Sequence, residues 1–323
     1  MSGGGLRRAH LKCNEQRTSK DERGLSWRRN DAPGTEAVKF DCAIQKCHPK
    51  ALLPPGPKLT VSFVPARLTI LGSGSSGNCA FVETDETRIL IDAGFSGRQI
   101  RQRLETIGRL PEGLHGILIT HEHADHIQGL AGLAARLEIP VYCNRDTKEA
   151  ITAEVKAPLQ FRLFNTGDSF EVGDFSVNTF PVPHDAVDPT GFVVETNGAC
   201  FGFLTDLGHA TKLVIERVRR ANVLVLETNH DLKLLQEDVR RPWSVKQRIL
   251  SRHGHLSNDA AAEVAEQIVH SGLSRLYLGH LSKDCNRHEL AHQAVAGRLK
   301  MIGATHVEIL ATHQDRPCET LAL

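Results

Sequence analysis

The sequence predicts an α/β protein in which β-sheets pack face to face and helices cover them outside. Three observations predict it: short apolar runs recur from Arg67 onward, helical patterns separate several of them, and strands occur in both halves of that region. Leu68–Leu71 and Ala80–Glu83 read as strands flanking the loop Gly72-Ser-Gly-Ser-Ser-Gly-Asn78, and Arg88–Ile91 is a third that ends at Asp92. Gly97–Ile107 reads as a helix. Gly116–Thr120 is a buried strand that runs straight into His121. Further strands are expected at Val141–Cys143, Phe175–Phe180, Gly191–Glu195, Cys200–Thr205, Val223–Leu226, Arg275–Leu278 and Val307–Leu310. Helices are expected near Gly129–Leu137, Thr147–Val155, Thr211–Arg220, Ser257–Ser271 and Arg287–Met301. The clearest carries Ser257 as N-cap, apolar residues at Ala261, Val264, Ala265 and Ile268, and Gly272 just past its end.

With 323 residues and 40% hydrophobic content, the chain can bury a substantial core. Its apolar runs fall far short of the ~20 residues that cross a bilayer, so no membrane span is expected. Arg7 and Arg8 are not followed by an apolar stretch of signal-peptide length, which points to the cytoplasm. Eight cysteines without a CxxC pair fit a reducing compartment better than a disulfide framework.

Charge is unevenly divided. Residues 1–60 hold 12 Lys and Arg against 6 Asp and Glu, and the remainder holds 27 against 32. The acidic body gives no general argument for nucleic acid, so any polyanion must be attracted locally. Residues 1–65 are polar, rich in Gly and charge, and end near Leu-Leu-Pro-Pro-Gly-Pro. They read as a disordered extension or as a start placed too far upstream; residues 66–323 form the expected folded domain.

The segment Thr120-His121-Glu122-His123-Ala124-Asp125-His126 carries the chemistry. Four potential ligands, His121, His123, Asp125 and His126, follow an apolar strand, where a rigid element can hold a tight loop. Imidazole and carboxylate together suit zinc, manganese or iron. His121 and His123 can point one way in an extended turn while Asp125 and His126 serve a second ion, since one ion would leave ligands idle. Two ions need further donors at strand ends. His184 follows Phe175–Phe180, Asp206 ends Cys200–Thr205, and His280 follows Arg275–Leu278.

These residues carry a resemblance. Over about residues 66–311 the sequence resembles the metallo-β-lactamase superfamily, and within it the YycJ/WalJ (VicX) group of nucleases. The matching stretches are Leu71–Asn78, Ile91–Gly94, Thr120–His126, Pro183–Asp185, Thr205–Gly208, Glu227–Asp231, Gly254–Asn258 and Leu278–Ser282. The resemblance implies a four-layer αββα sandwich with the metals at one edge. It implies that His121, His123 and His184 bind one divalent ion, that Asp125, His126 and His280 bind a second, and that Asp206 bridges them. Asp92 resembles the buried aspartate that steadies the ligand loop.

The implied activity is that of a dinuclear metal-dependent phosphodiesterase using zinc or manganese. Water between two such ions becomes hydroxide near neutral pH, giving a nucleophile without serine or cysteine. Two ions outweigh the charges of Asp125 and Asp206, so the pocket can attract phosphate on an acidic protein. His255 resembles a proton-donating histidine of related phosphodiesterases, and Glu227 its acidic partner, so the two are expected to help the leaving group depart. His230, Asn229, Ser257 and Ser282 are candidate phosphate contacts. The Gly72–Asn78 loop lacks the Lys-Ser/Thr ending of a P-loop and reads as a tight strand connection.

The resembling group implies a 5′-to-3′ exonuclease acting on double-stranded DNA. Only 73 residues separate Asp206 from His280, too few for the large inserted domain of RNA-processing relatives. Arginines from Arg98 to Arg252 are candidates for backbone contacts, although such residues commonly line solvated helix faces. The alternative is a small-molecule hydrolase of the same fold, acting on a thioester, lactone or cyclic phosphodiester, because fold and metal do not fix the substrate.

Overall fold

Residues 65–323 are described in the computed structural model; the extension expected over residues 1–65 lies, but for Pro65, outside the described residues. The first sheet begins with β1 (Arg67–Gly72), β2 (Cys79–Glu83), β3 (Arg88–Ile91), β4 (Gly116–Leu118), β5 (Val141–Cys143) and β6 (Phe161–Leu163). The second contains β7 (Ser169–Val172), β8 (Phe175–Pro181), β9 (Thr190–Thr196), β10 (Ala199–Leu204), β11 (Val223–Glu227), β12 (Arg275–Gly279) and β13 (Glu308–Ala311). The chain then returns to the first sheet as β14 (Leu321–Ala322), giving spatial orders β14-β1-β2-β3-β4-β5-β6 and β13-β12-β11-β10-β9-β8-β7. Strands β3 to β6 run parallel to one another, as do β10 to β13, whereas β3 is antiparallel to β2 and β10 to β9.

Alternation along the strands separates three cores. In β3, Ile89 and Ile91 face the second sheet, while Leu90 faces outward. In β11, Val223 and Val225 face the first sheet, while Leu224 and Leu226 face outward. The inner core joins Leu68, Ile70 and Val82 to Phe175, Phe192, Phe201 and Phe203. Both faces of these strands are buried, which explains their unbroken apolar runs.

Helices α1 (Gly97–Thr106), α2 (Ala124–Ile127), α3 (Ala134–Leu137) and α4 (Arg145–Glu154) lie in the half of the chain that forms the first sheet. Ile100 and Leu104 of α1 and Ile151 of α4 close its outer core. The second half supplies α5 (Lys212–Val218), α6 (Leu232–Glu237), α7 (Trp243–Ile249), α8 (Asn258–Ile268) and α9 (His288–Met301). Val214, Ile215, Ile268, Val295 and Leu299 from α5, α8 and α9 close the other outer core. The layers are therefore helix, sheet, sheet, helix, as the αββα expectation required.

Local departures have physical causes. The helix expected over Gly129–Leu137 is helical only at Ala134–Leu137. Preceding turns use Gly129, where an added Cβ would lie 2.5 Å from Phe95 O, to bring this segment against the strand ends. The expected strand Gly116–Thr120 stops at Leu118, because the Thr120 amide donates instead to the Asp92 carboxylate. All five cysteines among the described residues are free. No helix among them is long and apolar enough to cross a membrane.

Candidate metal centre

One end of the sandwich collects the chemistry because parallel strands discharge their C-termini there. β3 delivers Asp92, β4 leads into Thr120–His126, β10 delivers Asp206, β11 ends on Glu227, and β12 delivers His280. His184 arrives from the end of β8. Asp92, Asp206 and His280 have φ of +60°, +58° and +54°, making them three of four non-glycine residues with positive φ among the described residues. A side chain is disfavoured there, and such strain persists where surrounding bonds over-determine it.

Those bonds are visible at each ligand ring. His126 Nδ1 lies 2.7 Å from Asp92 Oδ2, while Asp92 Oδ1 accepts from the Thr120 amide at 2.8 Å. His280 Nδ1 lies 2.9 Å from Glu227 Oε1, His184 Nδ1 is 3.1 Å from Gly254 O, and His121 Nδ1 is 3.0 Å from Thr120 Oγ1. Fixing Nδ1 in this way leaves Nε2 of all four rings to face the centre. His123 presents Nδ1 instead, 3.0 Å from His121 Nε2 and 3.4 Å from His184 Nε2.

Four overlapping donor groups result, and in each the donor atoms lie within 4.8 Å of one another. His121, His126 and Asp206 form one, and Asp206, Glu227, His255 and His280 another; the other two, His121 with His123 and His184, and Asp125 with His126 and His280, match the expected ligand sets. Asp206 sits between these two: Oδ2 is 3.2 Å from His126 Nε2, and Oδ1 is 3.9 Å from His184 Nε2. All seven sequence-predicted ligands therefore converge. The set fits divalent cations for a further reason: Asp206 Oδ2 and His280 Nε2 are buried and make no hydrogen bond of good geometry, although His126 Nε2 lies 3.2 Å from the first and Asp125 Oδ2 3.4 Å from the second. Orphaned buried donors and acceptors are costly unless another group satisfies them.

Electrostatics point the same way. Burial alone would raise the Asp206 carboxyl, but His280, His126 and His121 overcome it and hold it well below the ordinary carboxylate range. Asp125 is lowered similarly, burial being outweighed by His126 and His280. Burial opposes a charge on His126, yet Asp92, Asp206 and Asp125 raise it well above its usual value; Asp206, Asp125 and Glu227 do the same for His280. Burial and neighbouring His126 hold His121 well below its usual value. Several carboxylates thus share a largely buried pocket in which they favour positive charge.

Glu227 is fully buried and has a larger role than its sequence suggests. Oε1 faces His255 Nδ1 at 2.8 Å as well as His280, while Oε2 accepts from the amides of Leu207 and Leu256 at 3.0 and 3.1 Å. Burial would raise its pKa, but His255 and His280 lower it to about 2. His255 is raised in turn, Glu227 outweighing burial.

A cavity of about 320 Å³ opens over Asp125, Asp206, His255 and His280, with Asn229 and Ser282 in its wall. Two other predicted contacts are not brought to it. His230 is buried, with neither ring nitrogen partnered, and Ser257 Oγ caps α8 by accepting from the Ala260 amide. Most candidate arginines already have partners: Arg248 pairs with Asp185, Arg241 with Asp238 and Asp284, Arg220 with Glu195, and Arg103 with backbone carbonyls.

The Gly72–Asn78 loop supports the centre from behind. Asn78 Nδ2 lies 3.3 Å from Asp125 Oδ2, and Ser73 Oγ accepts from the His280 amide at 2.8 Å. Sequence reasoning missed both residues; their place in a glycine-rich turn beside a strand end was the available signal. Gly94 completes the support. A Cβ there would stand 1.7 Å from Asp125 O, so only glycine lets the ligand loop approach.

Comparison with known proteins decides the family. A model described as a beta-lactamase superfamily domain matches residues 87–281. The chain belongs to the metallo-β-lactamase superfamily. Within the superfamily it falls in the YycJ/WalJ group. It is 36% identical to exodeoxyribonuclease YycJ of Bacillus anthracis over 252 residues, covering 77% of this chain and 95% of that protein. It is 39% identical to exodeoxyribonuclease WalJ of Streptococcus pneumoniae over 238 residues, covering 72% and 88%. The metallo-β-lactamase fold protein YhfI from Bacillus subtilis superposes with a TM-score of 0.61 at 15% identity, over 81% of this chain and all of that one. This superfamily member is a metal-dependent hydrolase whose candidate centre suits divalent ions.

Proposed function

We propose that the chain is a dinuclear phosphodiesterase that degrades DNA from an end, in the 5′-to-3′ direction on duplexes. The supporting observation is the shared position of Asp206 between two imidazole-bearing donor groups, beside a histidine held by its own carboxylate. His121, His123 and His184 would hold one ion, Asp125, His126 and His280 the other, and Asp206 both. Ions bound there supply Lewis-acid charge for phosphoryl oxygens and a hydroxide at neutral pH.

The chain's own residues do the rest. Glu227 fixes His255 through Nδ1 and favours its protonated form, so the remaining ring nitrogen can give a proton to the departing oxygen. Glu227 also sets His280, so one carboxylate aligns both the proton donor and a ligand. Asn229 and Ser282, which line the cavity wall, would contact a phosphate. The exonuclease reading leans on the named relatives, which this chain spans almost completely.

End-labelled linear duplex, incubated with protein loaded with zinc or manganese, tests the reading. Release of label from the 5′ end is expected, with near two ions per chain by elemental analysis. Duplex left intact under both metals, with turnover of a thioester, lactone or cyclic phosphodiester, would establish the small-molecule alternative.

A further inference from the structure

The geometry points to a second phosphate subsite beside the metal centre, where Lys283 and Arg287 hold the phosphate next to the one that is cut. This inference rests on the nucleic-acid reading above and extends it by one phosphate. A second cavity, of about 270 Å³, adjoins the one over the centre. Ser282, two residues after the ligand His280, lines both. Ser73, whose Oγ accepts from the His280 amide at 2.8 Å, lines the second. The two cavities therefore meet at the backbone that carries one ligand.

The second cavity is lined by cations that no carboxylate neutralises. Lys283 and Arg287 are both exposed, and neither forms an ion pair among the described residues. The neighbouring acids are engaged elsewhere: Asp284 pairs with Arg240 and Arg241, and Asp315, the carboxylate in the lining, lies 3.8 Å from Arg316. Even with Asp315 counted in full, two cations face one carboxylate and the lining stays positive. His288 and His313 add imidazoles whose centroids are 5.1 Å apart, and His288 Nδ1 is buried without a partner.

Two uncharged features suit an anion there. Ser282 is 7% exposed; its Oγ accepts from the Cys285 amide at 3.3 Å, and nothing among the described residues accepts its proton. The helix α9 starts from the same lining, with Arg287 as its N-cap and no side-chain capping bond, so its first amides are left for an acceptor. Cations on an ordinary solvated helix face come without such a recess or such donors. A backbone diester and a terminal monoester both answer this chemistry. Either one, held beside the scissile bond, turns binding of a group that does not react into alignment of the group that does.

Lys283→Gln combined with Arg287→Gln removes both charges and breaks no ion pair among the described residues. In the full-length, metal-loaded protein this double variant should bind a cleavage-resistant phosphorothioate duplex about ten-fold more weakly at low salt. The slope of log affinity against log salt should flatten by about one, the share of a single phosphate. Single neutral methylphosphonate linkages, stepped inward from the 5′ end, locate the occupant: at one linkage the wild type should lose affinity and the double variant should lose none further. The same coupling to a 5′-phosphate, compared with a 5′-hydroxyl end, would support the subsite with the terminal monoester as its occupant. An unchanged salt slope, or losses that simply add at every linkage and at the 5′ end, would overturn the subsite while wild-type cleavage of ordinary duplex leaves the nuclease reading intact. If wild-type protein neither binds nor cuts DNA, both fall together.

Discussion

Glu227→Gln tests how far one carboxylate organises the centre. The amide has nearly the shape of the carboxylate but only one accepting oxygen. In the native protein four donors converge: two backbone amides on Oε2 and two imidazole Nδ1 atoms on Oε1. If the amide oxygen keeps Leu207 and Leu256, its NH2 group faces His255 and His280. Both rings must then accept at Nδ1 and carry their proton on Nε2, the atom that His280 would present to a cation. If the amide turns over, two buried amides lose their acceptor at about 1–3 kcal/mol each. The first arrangement keeps the fold, so the loss appears in metal binding, about 10–100-fold for a group that orients a ligand. Competition against a chromophoric chelator should show an ion at Asp125, His126 and His280 losing that much affinity while one at His121, His123 and His184 would bind as before. Two unchanged affinities would refute the tautomer argument. Equal losses at both sites would show instead that Glu227 supports the whole end of the sandwich.

Other perturbations separate the remaining roles. Asp206→Ala should abolish turnover, measured on end-labelled duplex, because both donor groups lose their shared carboxylate. His255→Ala should leave metal content near two ions per chain and slow turnover by ~10²-fold or more; loss of an ion would make His255 a ligand instead. Gly94→Ala should cost about 1–3 kcal/mol or more in a denaturant titration, because its Cβ meets the Asp125 carbonyl and cannot fit without moving the ligand loop. Acid should destabilise the metal-free protein in a defined window. The Glu227 carboxyl is lowered from 4.5 to about 2, so its contribution is complete above about pH 4.5 and is lost as pH falls toward 2. Glu227→Gln should flatten the fall of melting temperature across that window.

The layers were legible because burial on both faces writes itself into composition. Ile89–Ile91 of β3, Ala199–Leu204 of β10 and Val223–Leu226 of β11 are unbroken apolar runs buried throughout. β6 and β7 were missed because each is an edge strand of only three or four residues with exposed positions, too short for its alternation to stand out. α6 and α7 were missed for the same physical reason. Each is short, and only Leu235 in α6 and Lys246 in α7 are buried, so no core-facing period marks them.

The centre was legible to a different depth at each shell. Ligand identities could be read because His121 to His126 are contiguous and the later donors each follow an apolar strand. What orients them could not. Asp92 was identifiable only by resemblance, and the sharing of Glu227 between His255 and His280 depends on β11 ending beside β12, a pairing invisible in either segment alone. The same holds for the strained φ of Asp92, Asp206 and His280. Each lies at or just past a strand end, where the chain must turn sharply while its side chain points into a buried pocket. Glycine would relieve that strain but supply neither the carboxylates nor the imidazole that the centre uses. Unfavourable backbone geometry at these positions therefore marks the residues whose side chains the centre requires.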